Sequence, residues 1–125
     1  MADRETAGQA LRPSKGGFVS ISIAEEIAKL RAKLDSASGD REAVSLVKDY
    51  GLNVMLMVLK QGARIHEHHT KGPLTVQVIT GLVRIVAANS PNEIATGGIL
   101  ALDREIPHSV EAVEESVLLL TTALT

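Results

Sequence analysis

Two short stretches of this chain are apolar at consecutive positions, and they constrain its fold more than any other feature. They are residues 54–59 and 117–120, which contain only Val, Leu and Met. A strand with one face in water alternates between apolar and polar side chains, so strands with continuous apolar sequence are covered on both faces. Both stretches are too short for ordinary helices, and we interpret them as strands buried on two sides.

The chain after Asp40 is divided by turn residues into other short stretches typical of strands. Thr80-Gly81 and Glu114-Glu115 each separate two such stretches and predict tight hairpins. The polar segment 89–92 contains Pro91 and is predicted to be a loop. Strands at this spacing predict an all-β antiparallel sandwich or barrel. The predicted strands cover residues 43–48, 53–59, 74–79, 82–87, 99–102, 110–113 and 116–120.

One helix is predicted before these strands, over about residues 22–35. Ser22 and Glu25 have the spacing of a capping box, in which each side chain bonds a free backbone N–H of the first turn. Four apolar residues then recur at helical spacing and form one stripe. They are Ile23, Ile27, Leu30 and Leu34. A helix this short is marginal alone, so the stripe must pack on the β-sheet.

The length of 125 residues fits one domain. We predict a flexible N-terminal tail over residues 1–17 and a single domain over 18–125, with the barrel at about 41–123. The tail lacks the apolar core of a secretory signal, and no apolar stretch reaches the roughly 20 residues of a membrane span.

Composition excludes several functions. The net charge is −2 without any run of Lys or Arg, which argues against nucleic acid and membrane partners. Phe18 and Tyr50 are the only aromatic residues, too few for a surface that stacks bases or sugars. The chain has no cysteine, so any metal must be held by His, carboxylate or water. A cytoplasmic location is the natural expectation for such a chain.

The candidate chemistry lies in a histidine cluster. His66, His68 and His69 are three of the four histidines, and the fourth is His108, directly after Pro107. Positions i and i+2 of a strand share a face, so His66 and His68 are predicted to point into the barrel together, with His69 pointing away. Two imidazoles at this spacing converge on one cation, and a third ligand from a neighbouring strand completes a facial site.

Two segments around these histidines resemble the two motifs of the cupins. Residues 59–81, with His66-Glu67-His68 and the end Thr80-Gly81, look like the first motif. Residues 97–112, with Pro107-His108-Ser109-Val110-Glu111-Ala112, look like the second. The resemblance is to small single-domain cupins, and it implies a cupin-type antiparallel β-barrel (jelly roll) with one N-terminal α-helix.

Cupins commonly bind a divalent metal through three His and one Glu, and the resemblance carries only part of this set over. His68 matches the first His of the first motif, and His108 matches the His of the second. Thr70 then stands at the second His position and Leu74 at the Glu position. Two of four ligands match in this alignment.

A one-step shift of the alignment makes His66 and His68 the ligand pair instead. Gln77, on the strand that carries the Glu in cupins, is a weaker candidate ligand. The predicted metal ligands are therefore His66, His68, His108 and Gln77, with Zn, Fe, Mn or Ni as the divalent ion. Three functions stay open: a metal-dependent enzyme acting on a small molecule, a non-catalytic small-ligand-binding module without metal, and a purely structural barrel.

The two continuous apolar stretches also predict a homodimer. In a barrel each strand has one inner and one outer face, so the outer faces of residues 54–59 and 117–120 need cover. One helix with four large apolar residues covers part of that surface, and large exposed apolar patches are rare in soluble monomers. A second copy, related by a two-fold axis, is the expected cover for the remainder.

Overall fold

The computed structural model describes residues 17–49 and 51–123 of the chain. These residues form one helix, α1 (Ile23–Ser36), and nine strands. Within the described ranges, no helix is long and apolar enough to cross a membrane. The strands are β1 (Arg41–Asp49), β2 (Leu52–Leu59), β3 (Arg64–His68), β4 (Leu74–Thr80), β5 (Leu82–Ala87), β6 (Ser90–Ala95), β7 (Ile99–Leu102), β8 (His108–Ala112) and β9 (Ser116–Ala123).

The strands form two antiparallel sheets. The larger sheet has the order β1-β2-β9-β4-β7, and the smaller has the order β3-β8-β5-β6. The side chains between the sheets form an inner apolar cluster. This confirms the predicted all-β antiparallel class with one helix before the strands. Buried members of the inner cluster are Leu59, Ala63, Leu74, Val76, Val78, Val83, Ile85, Ile94, Leu102, Val110, Ala112 and Leu118.

The helix packs on the outer face of the larger sheet, as its apolar stripe predicts. The Ser22 hydroxyl oxygen accepts a hydrogen bond from the backbone N–H of Glu25 at 3.3 Å, which caps the first turn. Leu30 and Leu34 are buried. They belong to an outer apolar cluster whose other buried members are Leu46, Leu56, Val58 and Val117. Adjacent residues of β2 and β9 therefore point alternately into the inner and outer clusters, which explains the continuous apolar sequence of both strands.

The predicted loop over residues 89–92 is wrong, because β6 begins at Ser90. Ala88 and Asn89 have φ angles of 50° and 65°, the left-handed conformation that a two-residue hairpin turn requires. Pro91 pairs with Val86 at the edge of the smaller sheet, where a missing N–H is tolerated. Sequence analysis missed this turn because Ala88 stands at a position where Asn or Gly usually indicates such a turn.

Each of the predicted strands overlaps an observed strand. The predicted tail lies outside the described residues except for Gly17, which has no regular secondary structure. The single domain over residues 18–125 and the homodimer both remain predictions.

Candidate functional site

Two histidines face each other across the β3–β8 ladder. His68 on β3 is the register partner of His108 on β8. Their ring centroids are 4.2 Å apart and the ring planes are inclined at 59°. His108 is only 1% exposed, whereas His68 is exposed. The pair therefore lies at an opening of the space between the sheets, with His108 on the protected side.

A β-bulge removes His66 from this pair. Ile65 pairs with Val110 and His68 pairs with His108, so β3 uses three steps where β8 uses two. The extra residue breaks the alternation on which the prediction for His66 relied. His66 lines a different, outward-facing groove with charged side chains of β3, β5 and β8. The sequence prediction that His66 and His68 point into the barrel together is corrected on this point.

The His68–His108 pair borders a pocket of about 230 Å³ between the two sheets. Its described wall is largely apolar, with a few polar side chains, and none of the described lining residues carries a permanent charge. The polar lining residues are Asn53, His68, Thr70, His108 and Thr122. The apolar lining residues are Met55, Met57, Ile65, Leu74, Val76, Val110, Leu118 and Leu120.

Gln77 does not line this pocket. On β4 the side chains of Leu74, Val76 and Val78 belong to the inner cluster, and Gln77 alternates with them. Its side chain therefore lies on the outer face of the larger sheet. The structure therefore places Gln77 apart from the two histidines, and its role as a metal ligand stays a prediction.

Both pocket histidines are oriented by backbone carbonyls. Nδ1 of His108 lies 2.9 Å from the carbonyl oxygen of Ile106, and Nδ1 of His68 lies 3.0 Å from that of His66. A carbonyl oxygen only accepts hydrogen bonds, so Nδ1 carries the proton in each neutral ring and Nε2 keeps the lone pair. Burial lowers the pKa of His108 below its usual value, and the nearby His68 and His69 add to this. His108 is therefore a neutral acceptor at pH 7.

Two buried polar atoms in the described residues have no hydrogen-bond partner within the protein, and both belong to this pocket. They are Nε2 of His108 and Oδ1 of Asn53. Asn53 is the register partner of Thr122 on β9, which is in turn the partner of Leu74 on β4. Sequence analysis missed Asn53 and Thr122 as site residues. The available signal was their phase, since Asn53 alternates with Met55 and Met57 along β2.

The positions derived from the cupin resemblance meet at the pocket. His68, Thr70, Leu74 and His108 all line it, as the first alignment implies, whereas His66, which the shifted alignment pairs with His68, lines the outer groove. Thr70 and Leu74 thus stand where cupins place a His and a Glu. Over residues 17–49 and 51–123, no three His, Asp or Glu side chains are grouped to hold a metal ion.

An exposed contact between an imidazole and a carboxylate joins the two loops beside the pocket. Nδ1 of His69 lies 2.7 Å from Oε1 of Glu105, and the backbone N–H of Glu105 donates to the Thr70 carbonyl at 2.8 Å. Both side chains are more than half exposed, at 61% and 56%. The prediction that His69 points away from the pocket agrees with its absence from the lining.

Solved structures share this architecture. A cupin superfamily protein of Desulfitobacterium hafniense superposes with a TM-score of 0.69 at 12% identity, over 77% of this chain and 88% of that one. An RmlC-like cupin of Shewanella frigidimarina superposes with a TM-score of 0.66 at 13% identity, over 72% and 81%. This chain has the cupin fold.

Two further structures extend the comparison. A conserved protein of unknown function from Streptococcus pyogenes aligns with this chain at 25% identity and a TM-score of 0.67, over 71% of this chain and 78% of that one. Salicylate 1,2-dioxygenase of Pseudoaminobacter salicylatoxidans, in a structure with gentisate adducts, gives a TM-score of 0.72 at 14% identity. This chain covers about a third of that enzyme, 32% of its length. No protein-family model and no curated protein matches the sequence.

Proposed function

We propose that this cupin binds a small organic molecule in the pocket between its sheets, with His68 and His108 as its polar anchor. The observation that carries the proposal is the pair of buried acceptor atoms without a protein partner, His108 Nε2 and Asn53 Oδ1, in one apolar pocket. Buried polar atoms are normally hydrogen-bonded. A bound molecule that donates to these atoms would satisfy both and remove their desolvation penalty.

The pocket has the ordinary composition of a small-molecule site, mostly apolar with few polar groups that fix orientation. Its volume of about 230 Å³ sets the size of the ligand. An apolar cavity of about 150 Å³ accommodates benzene, so this pocket suits a single substituted ring or an aliphatic molecule of similar bulk. Met55 and Met57 add adaptable walls, since Met side chains fill irregular spaces.

Three methionines give a direct assay, because Met55 and Met57 line the pocket and Met1 is the third. In protein labelled with ¹³C at the methionine methyl groups, monocyclic compounds are expected to shift the Met55 and Met57 resonances. His108→Gln should weaken binding, whereas His66→Gln should not, because His66 lines the outer groove. A compound collection that leaves both resonances unchanged would contradict the proposal.

A divalent metal at the same histidines is the second candidate, supported by the anchored Nδ1 atoms. Metal-ligating histidines commonly donate their other N–H to a backbone carbonyl, as both rings do here. The donor set is incomplete, since zinc sites usually have three or four protein ligands. The residues therefore fit a two-histidine site whose other positions are taken by water or ligand. A bound ion there would supply a Lewis acid.

Elemental mass spectrometry of untagged protein tests this second candidate. Stoichiometric Zn, Fe, Mn or Ni that is lost in the double variant His68→Ala, His108→Ala supports it. Loss in His66→Ala, the matched variant on the outer face, or retention in the double variant would overturn it. We propose binding ahead of catalysis because, besides the two histidines, the described lining contains no other general acid or base. The cytoplasmic location remains a prediction.

A further inference from the structure

The polar atoms that this pocket offers to a ligand are mainly acceptors. Both imidazoles have their Nδ1 protons directed at backbone carbonyls, so each neutral ring offers the Nε2 lone pair. Asn53 has a buried, unpaired Oδ1. The Thr70 hydroxyl already donates to the Gly72 carbonyl at 2.9 Å, so its proton is engaged. Three side chains thus present lone pairs, and the Thr70 proton is already engaged. The donors left in the described lining are neutral ones, the Asn53 amide N–H groups and the Thr122 hydroxyl.

Among the residues that the structure describes, no cationic side chain lines this pocket to balance an anion. None of its lining residues is Lys or Arg. Arg64 and Arg84 lie on the outer face of the smaller sheet, in ion pairs with Glu111 at 3.5 Å and Glu93 at 2.9 Å. A carboxylate or phosphate placed beside these acceptors in an apolar cavity would lose its hydration without a cationic partner to compensate its charge. The pocket therefore disfavours anionic ligands on electrostatic grounds.

Resting on the proposed binding function, we infer that the ligand is a compact apolar alcohol, phenol or amine whose O–H or N–H donates to Nε2 of His108 or to Oδ1 of Asn53. One donor group satisfies an orphaned acceptor, and the apolar body occupies the space between Met55, Met57 and the aliphatic side chains of β4 and β9. This ligand class differs from an organic acid of the same size by a single functional group. Ligands matched in size therefore separate the two chemistries.

Benzyl alcohol, benzoate and toluene form a suitable set, because they share a ring and differ in the donor. Their dissociation constants are measured from the ¹³C-methyl shifts of Met55 and Met57 in the full chain. Benzyl alcohol is expected to bind about tenfold more tightly than toluene, since one hydrogen bond to an otherwise unpaired acceptor contributes about that factor. Benzoate is expected to bind more weakly than both.

At least one of Asn53→Leu and His108→Gln should reduce the preference for benzyl alcohol over toluene, whereas Asn92→Leu, at the distant edge strand β6, should keep it. An unchanged preference in both pocket variants would contradict the inference. The folded state of each variant is checked by its methionine methyl spectrum. Benzoate binding as tightly as benzyl alcohol, or toluene equal to benzyl alcohol, would overturn the inference and leave the binding function intact. Absence of shifts with all three compounds would count against the binding function and against this inference with it.

Discussion

The two faces of the larger sheet have different roles, although the same strands form both. Leu56 and Met57 are neighbours on β2, yet Leu56 is 0% exposed beneath α1 while Met57 lines the pocket. The outer face is closed by close packing of Leu and Val against the helix. The inner face leaves space and two orphaned acceptors at one end. One face therefore contributes mainly stability, and the other is less closely packed and forms the pocket.

The outer face is itself covered unevenly. α1 contacts β1 and β2, at one side of the sheet. On the other side, Ile99 on β7 is 60% exposed, and Gln77 and Leu119 are half-buried. We call six outward positions of β4, β7 and β9 on this side the bare half, and they exclude Val117 and Ile79, which pack in the outer cluster. In register they form two rows without a charged side chain: Ile99, Gln77 and Leu119, and Ala101, Thr75 and Thr121.

The largest expected effect concerns this bare half, where we propose that the predicted homodimer forms. An uncharged patch meets its own copy across a two-fold axis without like-charge repulsion. Light scattering at micromolar concentration should give about 26 kDa, twice the 13.2 kDa of one chain. Association at that concentration corresponds to about 8 kcal/mol. A monomer under these conditions would mean that helix and sheet need no further cover.

Gln77→Lys is the corresponding variant, because it places two positive charges near each other at the centre of the patch. It should shift the protein to monomer. Ala95→Lys adds the same charge at an exposed position of β6, on the other sheet, and should leave the mass unchanged. Equal effects of both variants would point to net charge rather than to the bare half.

The next effect compares neighbouring residues of β2. Leu56→Ala should lower the free energy of unfolding by about 2–5 kcal/mol, because it opens a cavity in a packed cluster. Met57→Ala should lower it by less than about 2 kcal/mol, because that side chain already borders open space. Urea unfolding measures both values. Ligand binding should survive the first change and weaken in the second, and the reverse result would contradict the assignment of the two faces.

Most of the fold was predictable because its signals are local. Continuous apolar sequence in β2 and β9 indicates cover on two faces, and the Ser22 cap with its apolar stripe fixes the helix. The strand β6 was not predicted because the turn before it contains Ala88 in a left-handed conformation. Such a conformation is imposed by the hairpin it closes, and Ala itself does not favour it.

The site was only half predictable, for a reason visible in β3. A period of two predicts which strand residues share a face only while the ladder is regular, and the bulge between Ile65 and His68 breaks it. His68 and His108 were placed by motif position, which tolerates a bulge. Gln77 was judged by its strand and not by its phase with Val76 and Val78. Asn53 lies outside both motifs, so only the register of β2 brings it to the pocket.

A smaller effect, of opposite sign to the cavity variant, is expected at Asn53. Asn53→Leu removes an unpaired buried acceptor, so it should raise the free energy of unfolding by about 1–3 kcal/mol while weakening ligand binding. Asn92→Leu is the matched control, because its amide donates to the carbonyls of Ser90 and Ile85 at 3.0 and 3.4 Å. That variant should be destabilised. A destabilised Asn53→Leu would show that Asn53 has a structural role.

The smallest effect is a pH dependence from His108. Burial, its largest cause, lowers the pKa of His108 below 6.5 in the folded protein. The unfolded chain then binds more protons than the folded one just below pH 6.5, so stability rises with pH across that window. The contribution is fully present above about pH 6.5 and is lost as the pH falls towards the folded pKa. Urea unfolding from pH 7.5 downward should show this loss.

His108→Gln should flatten the dependence of the unfolding free energy on pH by more than His66→Gln, which removes an imidazole from the outer face of the same ladder. Equal flattening would assign the dependence to groups outside the pocket, and the neutral His108 acceptor would lose its support.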